Sequence, residues 1–494
     1  MESRILINVT FGETRVAVTE NGALAELYIE RRSQPRIVGN IYKGRVGKII
    51  PGMQAAFIDL GLEKSGFISV EDVQEDLFPD FFIEEEENKT DRKRHKHPIQ
   101  DMLREGQEIL VQALKESTGG KGAKLSSYIA IPGKYLVLLG TVDLIGISRK
   151  IEDSKERNRL SNIISNYKPK GIGFIARTAS LGRDEDEIRQ DMDYLIRIWE
   201  EIKQKSEGEK APALVYEEPS LHVRAVRDLI TGEVKSIIVD SNEVYQEISS
   251  YLLSRFPDFN VNLELYTDTI PLFTRFGIDA EIKKIFQKKV WLKSGGYLII
   301  EEAEALTVID INTGRYLSGV DQEETIFNIN IEAASEAARQ IRLRNLVGII
   351  VIDFIDMKNS AKRKEAFETF IQVLNRDKAR SAVLEMSSFG VVQMTRQRTR
   401  ESLLKSLAET CSSCDGTGYV TSRETVSYEI LREIKSHILK PLIRRVTARA
   451  NPDVIRTLRD LEGENLEKLL AGYSTEILFE PVERKFNEFE IKLE

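Results

Sequence analysis

Two aspartates that end apolar stretches of the chain are the residues best placed to do chemistry. Asp310 follows Leu306 to Ile309 in "EALTVIDINTGR", and Asp353 ends the apolar run of "VGIIVIDFIDM". Functional groups of α/β sheets gather at the carboxyl ends of strands, so both carboxylates are expected at one edge of a sheet. Two neighbouring carboxylates repel each other unless a cation or a proton intervenes, and Mg²⁺ is bound by one or two carboxylates together with water and phosphate oxygens. The alternative is that each aspartate only caps a turn.

The surroundings of the aspartates favour the metal site. Asn312 points to the same side as Asp310 if the chain stays extended, where it could orient a water or a ligand; Arg315 follows. Residues 339–405 contain 14 Lys/Arg and 7 Asp/Glu, a local charge of +7 in a chain of net charge −8. A solvated helix face would also explain this basic segment, but its overlap with the Asp353 strand favours a phosphate-bearing substrate.

Composition limits the class of protein. The chain has 494 residues, 41% hydrophobic and 30% charged, which is typical of a soluble protein with several domains. Met1 is followed by "ESRILINVTFGE", which has neither the basic region nor the apolar region of a signal peptide. The most apolar window, "YLVLLGTVDLIGI", is interrupted by Asp143 and is too short to span a bilayer. We therefore expect a cytoplasmic protein with no integral membrane segment.

The only two cysteines lie close together, as Cys411 and Cys414, and cannot form a disulfide framework. With Gly416 and Gly418 they resemble a knuckle that presents two thiolates to zinc. Structural zinc takes four ligands, so one chain supplies half of a site. A thioredoxin-like redox pair is the alternative.

The elements that must position these residues follow from hydrophobic periodicity. Residues 2–36 alternate apolar and polar side chains and turn at Asn21-Gly22, which predicts a β-meander. Short strands with glycine corners follow, as in a small barrel of the OB type. Residues 283–402 are α/β, and a helix joins the strands that end at Asp310 and Asp353. Its apolar positions keep a helical period: Ile326, Ile329, Ala333, Ala337 and Ile341.

Four long motifs resemble the bacterial ribonuclease E/G family, in order and in spacing. They are "ALTVIDINTGR", "GIIVIDFIDM", "EMSSFGVVQMTRQR" and "CSSCDGTG", and the similarity extends over essentially the whole chain. The resemblance implies a Mg²⁺-dependent endoribonuclease that hydrolyses single-stranded RNA to 5′-phosphate and 3′-hydroxyl ends. It also implies stimulation by a 5′-monophosphate and a role in rRNA and tRNA processing and mRNA decay.

The fold class that the resemblance implies is a multidomain α/β and α+β protein. Its expected segments are an RNase H-like subdomain in two parts (1–36 and 213–282), an inserted S1 (OB-fold) RNA-binding domain (37–127) and a 5′-sensor (128–212), followed by a DNase I-like catalytic domain (283–402), a zinc link (403–418) and a small C-terminal domain (419–494).

The resemblance also assigns roles to residues of this sequence. Asp310 and Asp353 are implied as the magnesium ligands, and Asn312 as a residue that forms hydrogen bonds within that site. RNA contacts of the S1 domain are implied for Phe57, Phe67 and Lys121. A pocket for the 5′-monophosphate is implied for Gly133, Val137, Arg149, Arg177, Thr178 and Arg380.

Assembly is a further implication of the resemblance. The family shares one zinc between two protomers, so Cys411 and Cys414 are expected to join a homodimer, while the pairing of dimers into tetramers stays open. Ser412 replaces the proline that usually follows the first cysteine. The ending at Glu494 resembles the short ribonuclease G type, without the scaffold tail that recruits a degradosome.

Three other functions are weighed against this one. A catalytically silent RNA-binding protein on the same fold would not need Asp310, Asn312 and Asp353. A DNA-directed nuclease is disfavoured by an S1 barrel, which binds single strands. A thiol oxidoreductase would have no use for the paired carboxylates.

Overall fold

The structure is a computed structural model that describes residues 2–33, 36–73, 97–116, 122–230, 233–255, 261–314, 322–398, 400–438, 443–471 and 475–494. Residues 1–403 form one compact unit and residues 404–494 a second.

The described residues form 24 strands. In chain order they are β1 (Ser3–Thr10), β2 (Glu13–Glu20), β3 (Ala23–Arg31), β4 (Ile41–Ile50), β5 (Ala55–Asp59), β6 (Gly66–Ser69), β7 (Glu108–Lys115), β8 (Lys124–Ser126), β9 (Ala130–Pro132), β10 (Leu136–Leu139), β11 (Ile145–Ile147), β12 (Gly173–Ala176), β13 (Ala213–Tyr216), β14 (Val234–Val239), β15 (Asn262–Leu265), β16 (Lys289–Trp291), β17 (Tyr297–Glu302), β18 (Leu306–Asn312), β19 (Gly348–Asp353), β20 (Ser381–Val383), β21 (Val391–Arg396), β22 (Arg445–Ala450), β23 (Glu476–Pro481) and β24 (Phe489–Leu493).

Twelve α-helices are present in the same part of the chain. They are α1 (Ile99–Met102), α2 (Ser154–Tyr167), α3 (Glu185–Gly208), α4 (Leu221–Leu229), α5 (Asn242–Arg255), α6 (Leu272–Arg275), α7 (Ile278–Ile285), α8 (Gln322–Leu343), α9 (Ser360–Leu374), α10 (Leu403–Leu407), α11 (Arg423–Ile438) and α12 (Pro452–Ala471).

The first sheet joins the two ends of a long insertion. Its strand order is β15-β14-β1-β2-β3, with β1 parallel to β14 and antiparallel to β2. The predicted meander and its turn are both present. Asn21 and Gly22 have φ of 49° and 82°, the positive values that a tight hairpin turn requires. Residues near the N-terminus therefore share a sheet and a core with residues beyond 230.

The insertion contains a closed barrel and a smaller sheet. Strands β4-β5-β6-β8-β7 form the barrel, which pairing of β4 with β7 closes. The small barrel expected from the sequence is thus confirmed. β13, which belongs to the segment 213–282 expected in the RNase H-like subdomain, pairs with β4 of this barrel. The second sheet of the insertion, β11-β12-β10-β9, packs against α2 and α3 around one apolar core.

A six-stranded sheet of order β16-β17-β18-β19-β21-β20 completes the first unit. One face packs on α8 and α9, and the α8 positions Ile329, Ala333, Ala337 and Ile341 are fully buried there, as their periodicity predicts. Alternate residues of the strands point to the opposite face, which is half-exposed or exposed in β18 and β19. The sheet therefore has one core face and one open face.

The second unit is a small α/β domain. Its three-stranded sheet, β23-β22-β24, shares an apolar core with α11 and α12. A mixed α/β fold of several domains with a closed barrel agrees with the fold class expected from the sequence.

Candidate active site

The backbone ladder of the six-stranded sheet places the two aspartates side by side. β18 and β19 are parallel, and Asp310 is the register partner of Asp353. Adjacent strands lie about 4.8 Å apart, and register partners point to the same face of a sheet. Ile309, Ile311 and Ile352 point into the core, so Asp310 and Asp353 point to the open face. The structure thus brings together two carboxylates that the sequence places at two strand ends.

Asn312 completes this group. It is the last residue of β18, two positions after Asp310 and therefore on the same face. Its Nδ2 donates a hydrogen bond to Oδ2 of Asp310 at 2.7 Å. The amide thereby orients one carboxylate and leaves the other oxygen of Asp310 available to a ligand. Arg315 lies outside the described residues.

The segment after Asp353 is held by a residue that the sequence analysis missed. Asn330 is fully buried on α8, donates from Nδ2 to the carbonyl oxygen of Ile355 at 2.8 Å and accepts from the Ile355 N–H at 3.2 Å. This pair of bonds fixes the chain where it leaves β19. A signal was available, because Asn330 is a polar residue within the apolar stripe of α8.

The donor set of this group fits a hard cation. Two adjacent carboxylates and one amide oxygen are ligands that Mg²⁺ accepts, and its other positions are normally filled by water and phosphate. No cluster of three or more His, Cys, Asp or Glu that could hold a metal occurs within the described ranges. The arrangement consists of two adjacent carboxylates on the open face of the sheet.

The basic segment is largely structural in the part nearest to the sheet. Arg342 is only 5% exposed and donates to both Glu20 and Glu26, at 2.7 and 2.8 Å. Arg396 is also buried and bonds to Asp377. Arg342 thus joins α8 to the first sheet, and Arg396 joins β21 to the loop before β20. Both charges are used within the protein, so the local charge of +7 overstates what the segment can offer to a polyanion.

The barrel brings two of the three predicted RNA-contacting residues together. Phe57 on β5 is the register partner of Phe67 on β6, and their half-buried rings meet edge to face with centroids 6.2 Å apart. Lys121 lies outside the described residues. Two partly exposed rings side by side are the platform on which unstacked bases can lie.

Five of the six residues assigned to the 5′-phosphate pocket converge at one end of the sheet β11-β12-β10-β9. Arg177 and Thr178 directly follow β12, and Arg177 donates through NH1 to the carbonyl oxygen of Gly133. The Thr178 hydroxyl lies 3.0 Å from that of Ser148, the residue before Arg149. Val137 pairs with Ile175 in the same sheet.

Arg380 comes from the six-stranded sheet, just before β20, but its segment lies against the others. Lys150 Nζ donates to the carbonyl oxygen of Asp377 at 2.6 Å, and Lys378 Nζ donates to that of Asp228 at 2.7 Å. Arg380 itself is exposed. The structure therefore places the segment that carries Arg380 beside the segments that carry the other members.

Two carboxylates that the sequence analysis missed organise this pocket. Asp191 on α3 accepts hydrogen bonds from the N–H groups of residues 134, 135 and 136 at 3.2, 2.9 and 2.9 Å. A Cβ on Gly133 would lie 2.6 Å from Asp191 Oδ2, so the loop closes on this carboxylate only with glycine. Burial raises the pKa of Asp191, partly offset by those N–H groups.

Asp228 is the second of these carboxylates and faces Arg177. Arg177 NH1 lies 2.9 Å from Asp228 Oδ1, and Arg227 NH2 lies 2.9 Å from Asp228 Oδ2. Burial alone would raise the pKa of Asp228, but the charges of Arg227 and Arg177 outweigh it and lower the pKa to about 2. Arg177 therefore has a permanent counter-charge within the protein.

The cysteine pair lies on a turn of the second unit. Cys411 is exposed and Cys414 half-buried, and the N–H of Thr417 donates to the carbonyl oxygen of Cys414 at 2.9 Å. Backbone N–H groups of Ser413 and Cys414, with the Cys414 thiol, lower the pKa of Cys411. An exposed thiol with a lowered pKa beside a second thiol fits half of a tetrahedral zinc site.

Among the helices that are described, none combines the length and apolarity needed to cross a membrane.

Comparison with known proteins gives matches over nearly the whole chain. The model described as "Ribonuclease E/G family" matches residues 130–399, and the one described as "RNase E/G, Thioredoxin-like domain" matches residues 410–493. Ribonuclease G of Escherichia coli (strain K12) is 40% identical over 484 residues, 98% of each chain. Ribonuclease G of Haemophilus influenzae is 41% identical over 430 residues, 87% of this chain and 86% of that protein. Ribonuclease E of Escherichia coli (strain K12) is 39% identical over 451 residues, 90% of this chain and 41% of that longer protein.

Proposed function

Because this chain belongs to the ribonuclease E/G family and is similar in length to the ribonuclease G members, we propose that it is a metal-dependent endoribonuclease. Its substrate is single-stranded RNA, which it hydrolyses to 5′-phosphate and 3′-hydroxyl ends. The cellular substrates are the rRNA and tRNA precursors and the mRNAs whose processing and decay need such cuts.

The observation that carries this proposal is the Asp310–Asp353 pair on an open sheet face. The two carboxylates in register place two negative charges side by side, and no ion pair between either of them and a described lysine or arginine is present. Asn312 fixes the orientation of Asp310 by its hydrogen bond of 2.7 Å. A bound Mg²⁺ would supply the positive charge that activates water and stabilises the phosphorane-like transition state. The two aspartates would hold that ion, and Asn312 would keep the Asp310 carboxylate in position.

The neighbouring domains supply substrate binding. The barrel with Phe57 and Phe67 corresponds to the S1 domain, in which bases stack on the paired rings and Lys121 contacts the RNA. The pocket of Gly133, Val137, Arg149, Arg177, Thr178 and Arg380 corresponds to the 5′-sensor. A guanidinium and a hydroxyl on adjacent residues are suitable donors to a terminal phosphate, whose bonds to Arg177 are charge-assisted.

The remaining parts are assigned to the subdomains of the family. The five-stranded sheet β15-β14-β1-β2-β3 corresponds to the RNase H-like subdomain, and the six-stranded sheet to the DNase I-like catalytic domain. Residues 403–418 are the zinc link and residues 419–494 the small C-terminal domain.

The decisive experiment uses a short 5′-monophosphorylated, AU-rich, single-stranded RNA. We expect cleavage with millimolar-range Mg²⁺, loss of cleavage on chelation, and products with 5′-phosphate and 3′-hydroxyl ends. The same RNA in a duplex is the control and should be resistant. Binding without cleavage at any metal concentration would identify the chain as an RNA-binding protein on the same fold.

Assembly through zinc is the second part of the proposal. Two chains related by a two-fold axis offer the same cysteine pair from each side and complete one tetrahedral site. We expect one zinc per two chains, and loss of zinc with a shift toward monomer in Cys411→Ala/Cys414→Ala. Metal analysis with light scattering measures both. One zinc per chain, or an unchanged dimer in the double variant, would refute the shared site, and Ser412→Ala serves as the control.

A further inference from the structure

An exposed tryptophan lies on the same sheet face as the two aspartates and has no role in the site described so far. Trp291 is in β16, the edge strand of the six-stranded sheet, and is 62% exposed. Its register partner is Tyr297 in β17, and the two rings meet edge to face with centroids 5.3 Å apart. The next residue, Leu292, is buried in the core. Trp291 therefore points away from the core, to the open face.

The ladder continues from this pair to the site. Tyr297 is in turn the register partner of Asn312, so Trp291, Tyr297 and Asn312 form one row across three strands. The neighbouring row contains Lys289, Ile299, Asp310 and Asp353. With a strand spacing of about 4.8 Å, the Trp291 backbone lies about 10 Å from that of Asn312. The aromatic pair and the carboxylate pair are thus neighbouring parts of one surface.

The hairpin that carries the aromatic pair is fixed against β18. Glu332 on α8 accepts hydrogen bonds from the N–H groups of Lys293 and Ser294, at 2.6 and 3.1 Å. Gly296 packs so closely that a Cβ there would lie 3.0 Å from the carbonyl oxygen of Asn312. The position of the rings relative to Asn312 is therefore set by the backbone and by α8.

A cation completes the group. Lys289 Nζ lies 3.9 Å from the centroid of Trp291 and 3.5 Å from that of Tyr297. A lysine over two rings can be an ordinary cation–π contact, and lysine on an edge strand also discourages pairing with another sheet. Here, however, the ammonium group lies beside an aromatic surface that continues to a pair of carboxylates. Aromatic rings with an adjacent cation provide stacking for a base together with attraction for its phosphate.

We propose that Trp291 and Tyr297 form a stacking platform for a nucleobase of the RNA next to the scissile phosphate, with Lys289 attracting the adjoining phosphate. The platform rests on the proposed function and deepens it, because it adds a second single-strand contact to that of the barrel. Stacking tolerates any base, so the platform selects for an unstacked nucleotide at the cleavage site and not for a particular sequence. Trp291 is thus a positioning residue for the substrate.

The test measures cleavage of short single-stranded RNAs that carry one abasic nucleotide at successive positions flanking the cut. In the unaltered chain one abasic position should lower kcat/KM about tenfold. Trp291→Ala should lower kcat/KM on intact RNA by a similar factor. In this variant the abasic nucleotide should lower kcat/KM little further, because both changes remove the same contact. Trp291→Phe should restore most of the loss, and Phe11→Ala, at a fully exposed turn of another sheet, is the control.

Fluorescence gives an independent readout. The chain has two tryptophans, and Trp199 is buried, so quenching by added RNA reports on Trp291. In an Asp353→Asn background, which prevents cutting, RNA should quench emission, and an added Trp291→Phe change should abolish that quenching. The platform would be overturned if Trp291→Ala lowered kcat/KM equally on intact and on abasic RNA. It would also be overturned if the emission changed with protein concentration and not with RNA, which would indicate a contact of Trp291 with a second chain. Failure of the unaltered chain to cleave any RNA would instead refute the proposed function.

Discussion

The carboxylate pair and the proposed phosphate pocket are built in opposite ways. Asp310 and Asp353 lie on adjacent strands and are register partners. Neither forms an ion pair with a described lysine or arginine. Arg177 follows a short strand, and Asp228, Arg227 and the Gly133 carbonyl surround it. Among the described residues no cation forms an ion pair with the first site, whereas the second site neutralises its charge within the protein.

This difference predicts different costs of substitution. A strand ladder holds its backbone without help from the aspartate side chains, so these can be changed with little loss of stability. The guanidinium of Arg177 takes part in a partly buried charge cluster, so its removal affects both the ligand and the fold. The ratio of lost activity to lost stability therefore separates the two kinds of site.

The largest effect is expected at the carboxylate pair. Asp310→Asn or Asp353→Asn should lower the rate of cleavage by more than roughly 100-fold. Removal of a residue that only hydrogen-bonds to a metal ligand already lowers activity by up to about that factor. Affinity for RNA and the thermal unfolding midpoint should change little. Glu301→Gln is the matched control, because Glu301 lies on the same face of the neighbouring strand and bonds to Lys288. Normal turnover of either aspartate variant in millimolar-range Mg²⁺ would contradict the assignment.

An intermediate effect is expected at Arg177. Arg177→Ala should lower cleavage of 5′-monophosphorylated RNA about tenfold or more, because each charge-assisted hydrogen bond is worth about 1.5–3 kcal/mol. Cleavage of 5′-hydroxyl RNA should change little, so the ratio of the two rates is the measurement. Arg183→Ala, in the same domain, should keep that ratio. Equal losses on both RNAs would show that Arg177 serves the fold or general RNA binding.

The smallest effect concerns stability against acid. The pKa of Asp228 is lowered to about 2 in the folded chain, so its ion pairs stabilise the fold above the ordinary carboxyl pKa of about 4, and the contribution is lost as the pH falls toward 2. Asp228→Asn should therefore lower the free energy of unfolding by roughly 2 kcal/mol at neutral pH. The difference from the unaltered chain should shrink between pH 4 and 2. A difference that is constant with pH would assign the loss to packing and not to charge.

The sequence was informative where the signal is local. A few consecutive residues are enough to show the apolar runs that end on Asp310 and Asp353. The same is true of the alternation that places Asn312 on the same side as Asp310. The register that makes the two aspartates partners depends on how α8, which connects the two strands, packs on the sheet. No local sequence pattern encodes that packing. Asp191 and Asp228 act on loops 55 and 51 residues away in sequence, so only the fold connects them to the pocket.

Polar residues within apolar helical stripes were the signal that could have been used. Asn330 on α8 and Asp191 on α3 both interrupt the buried side of a helix, and both bond to backbone groups that leave a strand or a loop. Such a residue is costly to bury unless it has a partner. Its position therefore predicts a bonded partner in a loop, although it does not identify which loop.

The buried Arg342 also has a consequence for the time course of biosynthesis. Its partner Glu26 is made early, and 316 residues separate the two along the chain. At a translation rate of about 5–20 residues per second, Arg342 is synthesised roughly 15–60 s after Glu26. During that interval Glu26 lacks its ion-pair partner Arg342. The surface of the β1–β3 meander that α8 later covers is exposed on the nascent chain. Chaperones that bind nascent chains would therefore have access to this surface before the protein can bind RNA.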